Sequence, residues 1–137
     1  MTILKKQFFR TLLLLLWGGV TLIVMAIILH KEKISLNLWS LFFFWSIPIS
    51  FIQEFLYRGF LIYKLKKIFS SSILIILINA SLFAFMHIIY EPLALILLLT
   101  FVPGLFLSWL SLKFPNLWLL SLSHGILNFF AIWYAFF

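Results

Sequence analysis

Five long apolar runs, separated by short connections that carry most of the charges, dominate this 137-residue sequence. A helix rises about 1.5 Å per residue and needs roughly 20 apolar residues to cross a bilayer. In lipid, a helix also satisfies its own backbone hydrogen bonds. The runs predict helices near residues 8–29, 37–63, 71–90, 92–111 and 115–136. We therefore expect an all-α fold, a polytopic transmembrane bundle of about five helices that forms one domain over residues 1–137.

The first run, Thr11–Leu29, is longer than the 7 to 15 residues of a cleavable signal peptide's apolar region. We expect it to remain as a membrane helix. Basic residues set the orientation of such a bundle, because they concentrate on the cytoplasmic side. With five crossings, Lys31 and Lys33 face one side, and seven basic residues face the other: Lys5, Lys6, Arg10, Lys64, Lys66, Lys67 and Lys113. The sequence thus predicts a multi-pass protein of the cell membrane with a cytoplasmic N-terminus.

Composition narrows the classes of partner. The formal net charge is +7, and most of the basic residues stand near the ends of apolar runs, which suits the anionic headgroups of a lipid bilayer. No basic stripe with spaced aromatic residues accompanies this charge, so we expect no nucleic-acid partner. The chain has no cysteine, which excludes disulfides and thiol catalysis.

Three of the apolar runs contain polar groups that lipid should exclude. They are Glu54 with Arg58, then His87, then His124 with Asn128. A charged side chain at membrane depth costs at least about 2.5 to 3.5 kcal/mol on insertion scales, so such groups face the bundle interior and usually serve a function. Residues four apart lie on the same face of a helix. Each pair therefore presents its polar atoms in one direction.

Three short motifs formed by these residues resemble, in order, those of the CPBP family, which includes the CAAX proteases and the bacteriocin-processing intramembrane proteases. The motifs are Gln53-Glu54-x-x-x-Arg58, Phe83-x-x-x-His87 and His124-x-x-x-Asn128. The resemblance covers about residues 40–135.

This resemblance implies an intramembrane endopeptidase whose substrate is a peptide or a membrane-protein segment. Glu54 and His87 would activate water, and His124 and Asn128 would stabilise the oxyanion. The chemistry of the residues agrees, because a carboxylate can act as general base and an imidazole and an amide can donate hydrogen bonds to a tetrahedral oxygen. Arg58 would support Glu54 as its ion-pair partner.

The sequence departs from the family motif at Gln53, where the family usually carries the acid that serves as base. An amide cannot accept a proton at neutral pH. Glu54 is then the remaining carboxylate within an apolar run, since Glu32 and Glu91 lie at predicted connections. An alternative interpretation is therefore an inactive relative that binds clients as an immunity or regulatory protein. A small transporter subunit would explain buried ionisable groups but not the His-x-x-x-Asn arrangement.

Two further interpretations of the same residues stay open. Glu54 and Arg58 could form a purely structural ion pair, because pairing is how buried charge is usually tolerated. Glu54, His87 and His124 could also supply the two histidines and one glutamate of a catalytic zinc site. The His-Glu-x-x-His helix of many zinc peptidases is absent. The family has been described both as metal-dependent and as metal-independent, and we expect no firmly bound metal here.

Overall fold

The computed structural model describes residues 3–29, 32, 33, 35 and 37–136. Within these residues the chain forms five helices and no strand, which confirms the expected all-α bundle. The helices are α1 (Ile3–Ile28), α2 (Leu38–Ile68), α3 (Ser72–Phe85), α4 (Leu93–Lys113) and α5 (Leu117–Trp133). Helix α2 is continuous but contains two π-helical segments, Leu41–Ser46 and Phe55–Leu61.

Three helix ends differ clearly from the predicted ones. Helix α1 begins at Ile3 rather than near residue 8. Helix α2 continues to Ile68, so Lys66 and Lys67 lie in its last turn rather than in a connection. Basic side chains suit this position, because they interact favourably with the carbonyl groups at a helix C-terminus. Helix α3 ends at Phe85 instead of residue 90, so His87 lies in the turn that follows it. The residue before a proline avoids the helical conformation, which prevents a helix from continuing into Pro92.

Three segments are long and apolar enough to cross a membrane: Phe8–Ile28, Leu38–Ile68 and Leu93–Lys113. The other two helices are shorter, and the 14 residues of α3 span only about 21 Å of a hydrocarbon layer roughly 30 Å thick. The prediction of five crossings, and the orientation that depends on it, therefore remain predictions. Lys31, which entered that count, lies outside the described residues.

Polar caps define where three of the helices begin. The side chain of Asn37 accepts hydrogen bonds from the backbone at the start of α2. Ser71 and Asn116 do the same at the starts of α3 and α5. Such caps satisfy backbone N–H groups that have no partner within the helix. Each of these caps marks where a new helix starts within a largely apolar sequence.

Glycine allows close contact between the helices that carry the polar residues. A Cβ atom on Gly104 of α4 would lie 3.3 Å from the Cα atom of Ala80 on α3, and one on Gly125 of α5 would lie 2.5 Å from Ile47 on α2. Small residues permit such approach in membrane bundles, where packing replaces the hydrophobic effect as the attraction between helices. The result is a tight pairing of α3 with α4 and of α2 with α5.

The interior has an apolar part and a polar part. The apolar part lies among α1, α4, α5 and the C-terminal residues, and its buried members are Leu22, Ala26, Leu107, Leu110, Leu120, Leu127, Ala131 and Phe136. The polar part lies where α2 meets α3, α4 and α5, and its fully buried members are Ser46, Ser50, Glu54, Asn79 and Ser108. The predicted site residues border this polar part.

Candidate active site

An ion pair on α2 lies at the centre of the polar interior. Glu54 is 0% exposed and Arg58 is 4% exposed, and Nη1 of Arg58 lies 3.1 Å from Oε1 of Glu54. The guanidinium of Arg58 also lies over the ring of Phe83, 4.5 Å from its centroid, and Nη2 donates to the carbonyl oxygen of Gly104 at 3.3 Å. Burying a charge is costly unless it is paired and hydrogen-bonded. These contacts supply part of that compensation, while Nε of Arg58 has no hydrogen-bond partner among the described residues.

His124 on α5 joins this pair. Its Nδ1 atom lies 2.8 Å from Oε1 of Glu54, although the two residues are 70 positions apart in the sequence. An ionised carboxylate can only accept hydrogen bonds, so Nδ1 of His124 donates. Glu54 thus fixes the orientation of the His124 ring and leaves Nε2 as the second functional nitrogen.

His87 is held in a similar way by its own backbone. Its Nδ1 atom lies 2.8 Å from the carbonyl oxygen of Phe83, which can only accept, so Nδ1 donates. In the neutral ring, Nε2 therefore carries the lone pair. The ring of Phe83 contacts both histidines, with its centroid 4.9 Å from that of His87 and 5.3 Å from that of His124. The two imidazoles therefore pack against one aromatic ring.

Asn128 follows His124 by one helical turn and contacts α2. Its Nδ2 atom donates to Oγ of Ser50 at 2.9 Å and to Oε1 of Gln53 at 3.4 Å. Gln53 is therefore a partner of the third motif. Ser50 was missed in the sequence analysis. The available signal was its position four residues before Glu54, which puts both on one face of α2.

A cavity of about 260 Å³ lies next to these groups. His87, His124 and Asn128 contribute to its lining, and most of the other lining residues are apolar. Glu54 lies behind His124, one hydrogen bond away from the cavity. Helix α1 also contributes to the wall, through Gly18, Thr21, Leu22 and Met25. The sequence analysis gave α1 no part in the site.

The arrangement does not fit a zinc site built from two histidines and a glutamate. In the part of the chain that the structure describes, no group of three or more His, Cys, Asp or Glu side chains could hold a metal ion. Oε1 of Glu54 is already in contact with Arg58 and with Nδ1 of His124. The other carboxylate oxygen, Oε2, has no hydrogen-bond partner among the described residues, and Glu54 is not part of the cavity lining.

A comparison with protein families identifies the class to which this arrangement belongs. The family model described as type II CAAX prenyl endopeptidase, Rce1-like, matches residues 35–130, which is more than two thirds of the chain. The chain belongs to this family. All three motifs of this Rce1-like protein lie within the matched segment, and helix α1 precedes it. No curated protein and no solved structure matches the chain significantly.

Membership confirms the family suggested by the three motifs. Together with the three helices that are long enough to span a bilayer, it identifies a membrane protein of a CAAX-type intramembrane protease family. Membership also supports the expected protein or peptide substrate, at the level of the family.

Proposed function

We propose that this Rce1-like protein is an intramembrane endopeptidase that hydrolyses an amide bond in a peptide or membrane-protein substrate. The main support is that two histidines from separate elements face one cavity, while a buried glutamate orients one of them. A nucleophile, its base and an orienting group are the parts that such a reaction needs. Here water would be the nucleophile.

We assign water activation to His87 together with Glu54. Gln53 cannot accept a proton. His87 lines the cavity, and its Nδ1 donates to the Phe83 carbonyl, so the lone pair on Nε2 can take the proton from water. Glu54 lies behind His124, so it would contribute through that ring, whose Nδ1 it holds by a hydrogen bond. The proton on His87 would then pass to the leaving amine, as in other acid–base hydrolases.

His124 and Asn128 are the proposed donors to the oxyanion. When the His124 ring is doubly protonated, Nδ1 continues to donate to Glu54 while Nε2 donates to the oxyanion. The amide of Asn128 can contribute by exchanging its longer hydrogen bond, the one to Gln53 at 3.4 Å, for one to the oxyanion. Arg58 balances the charge of Glu54, so a protonated His124 leaves the site with a net positive charge. That charge would favour a negatively charged intermediate.

The cavity favours a substrate with a large apolar group next to the cleaved bond. An apolar cavity of about 150 Å³ is sufficient to bind benzene, and this one measures about 260 Å³. The family description, CAAX prenyl endopeptidase, makes a prenylated peptide one candidate and a peptide with a large aliphatic or aromatic residue the other.

A second candidate function is to bind such peptides without cleaving them, as an inactive relative of the peptidases would. The observation in its favour is that Gln53 stands where the family motif has an acid, and that its side chain accepts a hydrogen bond from Asn128. The family match gives no support to an immunity role, and it favours a peptidase over a transporter subunit.

The test is to incubate the purified protein in detergent with a peptide library in which each peptide is present with and without a prenyl group. Mass spectrometry would identify the cleaved bonds. We expect cleavage by the natural protein and none by His87→Ala or His124→Ala. Equal cleavage by those variants would assign the activity to a contaminant. Saturable peptide binding without cleavage would favour the second candidate.

A further inference from the structure

A set of buried polar groups outside the cavity connects three helices. Asn79 of α3 and Ser108 of α4 are both 0% exposed. Nδ2 of Asn79 donates to the carbonyl oxygen of Tyr57 on α2 at 2.7 Å, and Oγ of Ser108 donates to Oδ1 of Asn79 at 2.8 Å. None of the three motifs contains either residue. In a bundle whose contacts are mostly apolar, both positions would be easier to fill with an aliphatic side chain.

The amide of Asn79 can have only one orientation. A carbonyl oxygen accepts and never donates, so the NH2 group must point at Tyr57, which leaves Oδ1 to accept from Ser108. The Tyr57 oxygen lies in the π-helical segment Phe55–Leu61, where it also accepts from the backbone N–H of Ile62. Asn79 therefore donates to the second lone pair of the Tyr57 carbonyl oxygen, which lies inside the segment that carries Arg58.

Ser108 connects the same segment from the other side. Its Oγ lies 2.6 Å from the carbonyl oxygen of Gly104, the oxygen to which Nη2 of Arg58 also donates at 3.3 Å. The single hydroxyl proton of Ser108 has two acceptors, Asn79 and Gly104. When this proton is donated to Asn79, the Gly104 oxygen accepts one hydrogen bond fewer and can accept more strongly from Arg58.

We infer that Asn79 and Ser108 are positioning residues that hold the π-helical segment of α2 and thereby set Glu54 and Arg58 against His124. Glu54 directly precedes this segment and Arg58 lies within it, so a shift of the segment moves both. π-Helical turns are rare and occur frequently at functional sites, where an inserted residue redirects side chains. The structural part of this inference is independent of activity. Its effect on turnover rests on the function proposed above.

The composition of the chain permits a direct test by spectroscopy. The sequence has three glutamates, Glu32, Glu54 and Glu91, and no aspartate. Protein labelled with ¹³C at the glutamate side-chain carboxyl groups should therefore show three resonances, and Glu54→Gln would identify the one from Glu54. The variants are Asn79→Leu, which keeps the approximate size but makes no hydrogen bond, and Ser108→Ala.

Ser121→Ala is the matched control. Ser121 is also buried and donates to the carbonyl oxygen four residues earlier in its own helix, at 2.8 Å from Leu117. We expect the Glu54 resonance to move in Asn79→Leu and in Ser108→Ala, to stay in place in Ser121→Ala, and to return in Ser108→Thr, which restores the hydroxyl. An unchanged Glu54 resonance in folded Asn79→Leu or Ser108→Ala would overturn the inference. Ser108→Ala decides the matter if Asn79→Leu does not fold.

Turnover supplies the second readout. Misplacing a catalytic group by about 1 Å can reduce a rate about 10²-fold. We expect Asn79→Leu to lower kcat by about 10- to 100-fold with little change in KM, because substrate contacts are kept while the alignment of the reacting groups is lost. An equal kcat beside a shifted Glu54 resonance would overturn the link to catalysis. Inactivity of every form, the natural protein included, would contradict the proposed function and leave the resonance to decide the positioning role.

Discussion

The cavity has two walls of opposite character. One wall, the polar wall, carries His124 and Asn128 of α5. It is backed from α2 by the Arg58–Glu54 ion pair and by the hydrogen bond between Glu54 and His124. On α1 the wall is apolar or small, with Leu22 and Met25 as its larger members. The polar wall and the part of α2 behind it lie within the segment that matches the family, residues 35–130, and α1 lies before it.

From this difference we expect the polar wall to determine the rate of the reaction and the α1 wall to determine which substrates are preferred. Hydrogen bonds between buried polar groups are made or lost as a whole, and losing one partner leaves the other unsatisfied at a cost of about 1 to 3 kcal/mol. Apolar contacts change gradually with area, at about 25 cal/mol per Å². Substitutions in the polar wall, or in α2 behind it, should therefore act on the reaction itself and have large effects. Those on α1 should be smaller and should depend on the substrate.

The largest effect is expected for Glu54→Gln, which removes the carboxylate behind the polar wall. Glutamine keeps the shape of the side chain but removes the charge that pairs with Arg58 and orients His124. We expect cleavage to fall by about 10²- to 10⁴-fold, the range for a general base. Steady-state kinetics on one cleaved peptide would measure it, and unchanged turnover would exclude Glu54 from the mechanism.

The control for this prediction is the double variant Glu54→Gln with Arg58→Gln. Removing one partner of a buried pair costs about 3 to 5 kcal/mol, whereas removing both can be nearly neutral. If Glu54 has only a structural role, the single variant should express poorly and the double variant should recover both folding and activity. If Glu54 is catalytic, the double variant should fold and remain inactive.

A gain of function is expected behind the same wall for Gln53→Glu. It supplies the acid of the family motif at a position whose side chain already contacts Asn128. We expect the rate to rise, by about 10²-fold if a missing base limits it. Gln53→Met, which has similar length but no acceptor oxygen, controls for the change in size. Equal rates for the natural protein and Gln53→Glu would mean that His87 and Glu54 already suffice. No activity in either would favour the binding-protein alternative.

An intermediate effect is expected on α1, where adjacent glycines provide a matched pair. A Cβ atom on Gly18 would lie 2.7 Å from Cδ2 of Leu127, a residue of the cavity lining, whereas one on Gly19 would have nothing within 4 Å. Gly18→Ala should push Leu127 aside and change the preference between peptides with small and large apolar groups by about 10-fold, the effect of about one methylene in a pocket. The kcat of the preferred peptide should stay nearly constant.

Gly19→Ala introduces the same methyl group and the same gain in helix propensity of about 1 kcal/mol. It should therefore leave the peptide preference unchanged. The ratio of kcat/KM for the two peptides is the measurement for both variants. An identical shift in both would mean that α1 acts on the site through its own stability and not through the shape of the cavity.

The smallest effects are expected for two basic residues that contact aromatic rings, Arg10 in α1 and Lys33 after it. The guanidinium of Arg10 lies 5.0 Å from the ring centroids of Trp109 and Phe114, and Nζ of Lys33, beyond the other end, lies 4.6 Å from that of Trp133. Each cation–π contact contributes about 0.5 to 1 kcal/mol at an exposed site. Arg10→Gln and Lys33→Gln should lower the free energy of unfolding by that amount, with Lys5→Gln as a control for loss of charge. Thermal unfolding in detergent would show it. A loss of turnover at full stability would contradict a purely anchoring role.

The general fold could be predicted because it follows from local properties. Apolar runs of membrane length predict helices wherever they occur, and the described chain is an all-α bundle. The helix ends were less accurate. The end of α3 at Phe85 depends on the turn before Pro92, and an apolar run that continues past it gave no sign of that end.

The sequence predicted a set of candidate site residues and the contact between Glu54 and Arg58, but not the contacts between helices. Spacing placed Glu54 beside Arg58, which the structure contains as an ion pair. Spacing could not show that Asn128 donates to Ser50, because 78 positions separate them. Asn79 was detectable as a polar residue within an apolar run, eight positions before His87, but its partners lie on two other helices.

By itself, the sequence determined that the chain forms apolar helices, that Glu54, Arg58, His124 and Asn128 stand on them at helical spacing, and that the chain belongs to one protease family. These are properties of single helices, set by side-chain type and by the period of 3.6 residues. The tertiary structure decided which nitrogen of His124 meets Glu54, and that α1 forms a wall of the cavity. Pairing between helices depends on which surfaces pack together, and many apolar faces of similar composition could pack equally well by sequence alone.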